Sequence, residues 1–443
     1  MAFSQEKLWR ASGLLALFSF IADLAGLLRD RILAAHFGAS HALDVYYSAF
    51  KIPDLIFNLL VLGALSSAFI PVFIEHYRAD QARAWRLAQN FITLAFSAVA
   101  VAAALIFLFA NPLARLVAPG FTGADRVLLV QLMRLMLLSP VLFAISAVLG
   151  SILQSLERFL AYAIAPILYN TGIIIGALYF VPYFRISGRP EILGLGAGVV
   201  LGALMHLLLQ AGAALKAGFR FRLIWDMADD GFNKIIRLMI PRTLGLGAYS
   251  IESAVTNAIA STLGAGSITV FNFANNIQFV PIAVLGVSVA TAVFPRLSSH
   301  ASSQEFEAFW SRLKEALGRT LMIVGSVAVL VFLFRELIIK IIFQTGAFRG
   351  GDVHATAQIL GIFMFGVVAQ SLIPIMSRAF YALQNTRTPV MISVLAIAVN
   401  ISLALLFTFR FHFGIQGLAW AFAISGNLNF LLLYLLFRRR YSY

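Results

Sequence analysis

Apolar residues run in blocks of about twenty or more, and polar residues gather in the short breaks between them. A helix needs roughly 20 apolar residues to cross the hydrocarbon, so this pattern is the signature of repeated membrane spans. It predicts twelve helices, near 8–36, 42–74, 86–110, 127–153, 159–183, 191–216, 234–261, 267–296, 308–342, 355–382, 388–409 and 413–437. Several exceed the minimum span, which predicts tilted helices or ends projecting beyond the bilayer.

The breaks orient the chain. Numbered alternately, one set collects Arg78, Arg83, Arg86, Arg158, the segment "KAGFRFRLIWDMADDGFNK", Arg296, Arg312, Lys314, Arg319, Arg387 and Arg438 to Arg440, with Lys7 and Arg10 at the start. The other set holds Arg115, Arg126, Arg185, Arg189, Arg349 and Arg410. Lys and Arg stay on the cytoplasmic side, so both termini are expected there, in agreement with an even number of spans.

Composition sharpens the class. The chain has 443 residues, of which 61% are hydrophobic and 12% charged, where soluble domains carry about a quarter charged. The net charge of +14 would point to nucleic acid in a soluble protein, but here its clustering between apolar blocks reads as membrane orientation. Cysteine is absent, which excludes disulfides and thiolate metal sites. The opening "MAFSQEKLWRAS" leads into an apolar run too long for a signal peptide and without a small-residue cleavage site, so the N-terminus is expected to be retained.

The chain also repeats itself. "FGASHALDVYYSAFKIPDLIFNLLVLGALSSAFIPVF" from Phe37 is echoed by "LGAGSITVFNFANNIQFVPIAVLGVSVATAVFPRL" from Leu263. Both have a Gly-Ala start, a later Leu-Gly pair and a proline near the end. "APGF" and "TGAF", Gln154 and Gln384, Asn170 and Asn400, and "ILGLGAG" and "IQGLAWA" come next in the same order. The fold class expected is therefore an all-α polytopic membrane protein, with two parallel six-helix repeats around a central cavity. The lobes are expected at 1–217 and 234–443, joined by a solvated amphipathic cytoplasmic linker over 218–233.

Charges interrupt the apolar blocks at particular places. Asp44, Tyr47, Lys51, Asp54 and Asn58 advance by three or four residues and form one stripe on the second helix. Asp23, Gly26 and Asp30 form another on the first, with Arg29 about 100° around from Asp30. Arg242 follows Pro241 in the seventh helix, with Tyr249 and Glu252 further along, and Asn272, Asn275 and Asn276 give the eighth a polar face. Arg134 is a further charge in the fourth. Each Arg, Lys or Asp at a helix centre costs about 2.5–3.5 kcal/mol to insert. As a set they are expected to avoid lipid and face either one another or a hydrated chamber. Arg29 with Asp23 or Asp30, Lys51 with Asp54, and Arg242 with Glu252 could be ion pairs that only fix helix packing. A chamber holding cations suits an anionic headgroup, because Arg grips phosphate oxygens bidentately. By the repeat, Arg29-Asp30 corresponds to Val255-Thr256 and Lys51 to Asn276, so the charges belong to the N-terminal half.

Enzyme chemistry finds no carrier. No HExxH, P-loop or nucleophile elbow is present, and the seven histidines lack ligand spacing. Neither cofactor nor metal is expected. "GLGAGVVLG" from Gly194 lies within an apolar helix and predicts close helix packing, since no βαβ context supports a dinucleotide loop.

The stretch "GLLRDRILAAHFGASHALDVYYSAFKIPDLIFNLLVLGALSSAFIPVF" resembles the N-terminal signature of the MurJ (MviN-type) lipid II flippases, of the multidrug, oligosaccharidyl-lipid and polysaccharide exporter superfamily. "ANNIQFVPIAVLGVSVATAVFP" and "FYALQNTRTP" are similar to the corresponding segments of the second half. The resemblance spans essentially the whole chain. It implies two six-helix lobes, alternating access, and outward movement of the undecaprenyl-pyrophosphate-linked peptidoglycan precursor in a bacterial inner membrane. Arg29, Asp30, Asp44 and Lys51 match the family's charged positions. The chain departs from it at Asp23, at Phe57 or Asn58, and at Asn276, where better-known members carry arginine, and at Asn385, where many have aspartate. The expected substrate-binding set is thus Arg29, Asp30, Lys51, Arg242 and Glu252, with Asp23, Asp44, Asp54, Asn58, Asn272, Asn275 and Asn276 in support. The expected partners are the lipid-linked cargo, membrane lipids and wall-synthesis proteins. Two other functions compete. One is a drug or other polysaccharide-lipid exporter of the same superfamily, for which drug export predicts a more apolar or acidic chamber. The other is a non-transporting scaffold, which predicts fully paired charges and no open cavity.

Overall fold

The computed structural model describes residues 5–62 and 68–441, without the side chains of residues 5–13, 16, 62, 241, 242 and 244–246. Among the described residues the chain is helical without strands. The helices are α1 Gln5–Phe37, α2 His41–Ala49, α3 Lys51–Phe57, α4 Ile70–Ala79, α5 Gln81–Leu108 and α6 Ala110–Val117. Then come α7 Gly123–Ser155, α8 Phe159–Ile186, α9 Ile192–Lys216, α10 Asp230–Ser261, α11 Ser267–Ser302, α12 Phe306–Phe343, α13 Gly350–Ala382, α14 Arg387–Arg410 and α15 Ile415–Tyr441.

Nine of these, α5, α7 to α9 and α11 to α15, are long and apolar enough to cross a membrane, counted over the described residues. They coincide with nine of the twelve expected spans. The other three expected spans, 8–36, 42–74 and 234–261, are helical over α1, α2 to α4 and α10. The second contains residues outside the described set, 63–67, and the other two contain residues whose side chains lie outside it.

The chain forms two compact units. Unit 1 holds the residues up to Phe37 and His41–Ala254, and unit 2 holds Gly38–Ser40 and Val255–Tyr443. The boundary therefore falls inside α10, beyond the 218–233 segment expected as the junction. The early part of α10 belongs to unit 1 because its small residues let it lie against α3 and the π turn after it. Thr243 Oγ1 donates to the Leu59 carbonyl at 3.5 Å, and a side chain added at Gly247 would meet Leu59 at 3.0 Å.

Unit 1 is held by an aromatic core around Phe69, Phe73 and Phe91, on which Val148, Ile152 and Ile235 pack. Close backbone approach is the second device. Gly172 and Gly176 on α8 face Gly202 and Gly198 on α9, and a Cβ on Gly172 would lie 2.2 Å from the Gly202 Cα. Glycine alone permits this crossing, which is the role expected for "GLGAGVVLG". Unit 2 has its own core, in which Phe309, Leu313, Ile375, Met376, Phe380 and Phe437 bring α12, α13 and α15 together.

Residues 219–229 are largely exposed, as a solvated linker would be, yet they are not loose. They run without regular structure and are pinned to α5. Asn90 donates to the Asp226 carbonyl at 2.7 Å and accepts from its N–H at 2.9 Å, while Gln89 donates to the Arg220 carbonyl at 2.6 Å. Phe219 is buried against Trp85. Buried amides on α5 are thus satisfied by a neighbouring backbone, which also fixes the segment.

Two local features track the repeat. Gly38 and Gly264, the glycines of the paired "FGAS" and "LGAG" starts, both adopt positive φ, at 59° and 104°. π turns fall at matching places as well: Asn58–Leu62 is echoed by Ile282–Val287, and Gly176–Phe180 by Leu406–Arg410. A π turn inserts one residue into the helical ladder and re-aims the side chains beyond it, and such turns concentrate at functional sites.

Candidate functional site

The charged residues of the first two apolar blocks come together in unit 1. Arg29 folds back along α1, and its Nε and Nη2 donate to Asp30 Oδ1 at 2.9 and 2.7 Å. Its Nη1 donates to Asn170 Oδ1 on α8 at 2.9 Å. The Asn170 amide nitrogen in turn donates to the Ala22 and Pro166 carbonyls, both at 3.3 Å. Asp30 is 2% exposed and Arg29 22%. The guanidinium is therefore clamped between a carboxylate and an amide that is itself fixed, with one edge left open. Neighbouring positions 100° apart on a helix meet here because the Arg side chain is long enough to curl around the axis.

Lys51 is held differently. Its ammonium donates to Ser253 Oγ on α10 at 3.1 Å, and among the described residues no carboxylate lies within ion-pair distance of it. Asp54, one turn on, is exposed and acts on it only through space. One turn further, Asn58 donates to Ser250 Oγ at 3.1 Å. Ser250 and Ser253 stand three apart on one face of α10, so two hydroxyls receive two residues of the expected stripe. A cation whose near partner is neutral keeps hydrogen-bonding capacity and net charge for an anion.

Aromatic hydroxyls complete the surroundings. Tyr46 and Tyr47 of α2 and Tyr169 of α8 lie within electrostatic reach of Arg29. Tyr46 is wedged edge-on between Tyr47 and Phe50. Behind them, Phe143 touches Phe57, Tyr169 and His206, and His206 Nδ1 shares a 2.6 Å hydrogen bond with Ser146 Oγ.

The remaining expected residues divide. Asp44 is buried in the first turn of α2 and has a polar partner, whereas Asp23 is exposed. Glu252 is half-buried next to Ser253 and also has a partner. Arg242 lies in α10, but its side chain is outside the described residues. Arg134 does not join the group: it sits 4.7 Å over the Phe107 ring and donates to the Phe107 carbonyl, capping the end of α5. In unit 2, Asn272 donates to the Ile268 carbonyl of its own helix at 2.7 Å, and Asn275 accepts from Gln278 at 2.9 Å. Among the described residues no group of His, Cys, Asp or Glu has the arrangement of a metal site.

Sequence reasoning does not reach Asn170, Ser250 and Ser253 as partners of these charged and polar residues. Asn170 carries a signal only as a repeat marker. The two serines carry none, since a small hydroxyl in an apolar helix is ordinary packing.

The family model described as Lipid II flippase MurJ matches residues 33–443. The chain belongs to the lipid II flippase MurJ family. A probable lipid II flippase MurJ of Buchnera aphidicola subsp. Acyrthosiphon pisum is 28% identical over 424 residues, covering 94% of this chain and 81% of the relative. The lipid II flippase MurJ of Burkholderia cenocepacia is 28% identical over 447 residues, covering 99% and 85%. Among solved structures, the inward closed conformation of lipid II flippase MurJ superposes with a TM-score of 0.80 at 23% identity, covering 96% of this chain and 87% of that one. An inward-facing multidrug resistance MATE transporter of the MOP superfamily also reaches 0.80, at 16% identity and 98% coverage of both chains. The fold is thus shared between flippases and drug exporters, and the sequence match assigns the family.

Proposed function

We propose that this protein moves lipid II, the undecaprenyl-pyrophosphate-linked peptidoglycan precursor, from the inner to the outer leaflet of a bacterial cytoplasmic membrane. The family match supports the cargo. The observation that carries the mechanism is the contrast between two cations in unit 1. Arg29 is already neutralised by Asp30 and oriented by Asn170, while Lys51 has only a hydroxyl as its near partner.

In this reading Lys51 receives a pyrophosphate oxygen through a charge-assisted hydrogen bond, worth about 1.5–3 kcal/mol. Arg29 presents its open edge as a second, fixed donor. Asp30 and Asp54 hold the region close to electroneutral when cargo is absent, which limits the cost of charges at membrane depth. No bond is made or broken, so the work is binding, alternate exposure of this site to the two sides, and release. Both termini lie in the cytoplasm, as the basic breaks require. Glu252 takes part beside the serine pair and Arg242 from further along α10, and wall-synthesis enzymes are the expected protein partners.

A lipid II translocation assay in reconstituted vesicles tests the proposal. The protein should move lipid II to the far leaflet and leave a zwitterionic phospholipid carrying the same fluorophore behind. Equal movement of both, or of neither, would defeat it.

A further inference from the structure

Unit 2 carries a groove that the proposed transport function does not use. It has a volume of about 770 Å³ and lies among α13, α14 and α15, within the roughly 300–1,000 Å³ of ligand sites. Its lining is graded. Thr388 stands in the first turn of α14, and Arg439 and Arg440 stand in the last turn of α15. These two helices pack together, so the polar residues share one end of the groove. From there Met391 and Leu395 continue along α14, opposite Leu436 one turn earlier on α15. Thr388 to Leu395 covers about 10 Å at 1.5 Å per residue. Met391 is 60% and Leu395 51% exposed, on a helix long and apolar enough to span a membrane.

Charge separates this groove from the other basic one in unit 2. There Arg296, Arg312 and Arg319 share a 390 Å³ cleft with Glu315, which pairs with Arg312 and Arg319 at 2.7 Å each. Arg439 and Arg440 have no carboxylate within ion-pair distance among the described residues, and Arg440 instead lies 5.7 Å over the Tyr441 ring. An occupant must therefore be anionic at one end and apolar over a length of several methylenes, and it must reach the groove from the lipid side.

We propose that this groove is a binding site for an anionic glycerophospholipid, with its phosphate at Arg439, Arg440 and Thr388 and one acyl chain laid over Met391, Leu395 and Leu436. Arg supplies planar, bidentate donors that match a phosphate. Basic residues at a membrane surface favour anionic lipids additively. The lipid is a resident ligand that ties the last turn of α15 to the start of α14, and it is distinct from the cargo.

Native mass spectrometry of the purified protein with added phosphatidylglycerol or phosphatidylethanolamine reads the site directly. The protein should retain phosphatidylglycerol in preference, and the double variant R439Q/R440Q should lose that preference roughly tenfold or more. R439K/R440K should keep most of it, while Leu395→Trp, which fills the apolar end, should weaken retention of both lipids. Equal retention of the two lipids by the unaltered protein would overturn the proposal, as would unchanged retention in R439Q/R440Q or Leu395→Trp. Displacement of phosphatidylglycerol by undecaprenyl pyrophosphate at equal concentration would overturn it too, and would make the groove a cargo site. A thermal unfolding scan of each variant separates loss of the site from loss of the fold.

Discussion

The two halves treat the same helix position in opposite ways. In unit 1 the segment from α1 through the π turn after α3 brings Arg29, Asp30, Lys51 and Asn58 together and supports them with Asn170, Ser250 and Ser253. In unit 2 the stretch of α11 that corresponds to α2 and α3 carries amides instead, with Asn276 at the place of Lys51, and the nearby Asn272 and Asn275 bond within their own helix. An amide can turn back on its helix and cost little, whereas a buried ion needs partners from elsewhere in the chain. Charge at membrane depth therefore implies a built site, and self-satisfied amides do not. The duplication supplied two similar scaffolds, and one of them holds the ions.

The largest effect expected from breaking this contrast is on the Arg29 clamp. Asp30→Asn leaves the Arg29 guanidinium without its buried counter-ion, and removing one partner of a buried pair costs about 3–5 kcal/mol. The low end applies because Arg29 keeps an exposed edge, so about 3 kcal/mol should appear as a lower unfolding midpoint in detergent. Double replacement of Arg29 and Asp30 by Leu and Asn should recover part of that loss.

Helix packing offers the next comparison. Gly172→Ala drives a methyl group into the Gly202 backbone and should cost about 1–3 kcal/mol. Gly325→Ala on α12 meets nothing within 4 Å and should be neutral or stabilise by up to about 1 kcal/mol. Unfolding scans of the two variants side by side would show it.

Smaller effects belong to groups that satisfy themselves. Asn272→Ala and Asn275→Ala in unit 2 should leave lipid II translocation within about twofold, because each removes a bond inside its own helix. Smallest of all is the exposed Glu75–Lys234 pair, 2.7 Å apart, which joins α4 to α10. The Lys234 hydrogen bond holds the Glu75 carboxyl below the usual glutamate range. Its contribution is thus present above that range and lost as the pH falls through the lowered value. Lys234→Ala should change acid unfolding only slightly and leave neutral-pH stability unaltered within error.

How much of this was legible in the sequence depends on which signals are local. Span length is local, and nine spans stand where hydropathy put them. The glycine cluster from Gly194 is local too, because close packing leaves no other residue type possible. The clamp on Arg29 is not. Its amide comes from a helix 141 residues away, and nothing in the neighbourhood of Asn170 marks it as a partner. The pairing of Lys51 with Ser253 rather than Asp54 depends on how α10 lies against α3, and periodicity does not encode that. π turns are equally silent, since they alter the ladder without altering composition. The 219–229 segment reads as a surface feature and is mostly exposed, but its anchoring is not legible, because the amides that fix it sit on α5.

The central claim is that Lys51 receives the anionic end of the cargo, and its most direct test is the affinity of the reconstituted protein for an undecaprenyl-pyrophosphate-linked ligand. The account predicts a loss of about 10- to 100-fold for Lys51→Ala, matching one charge-assisted hydrogen bond. Lys51→Arg should retain most of the affinity and Asn275→Ala all of it. Binding by Lys51→Ala as tight as that of the unaltered protein would contradict the account.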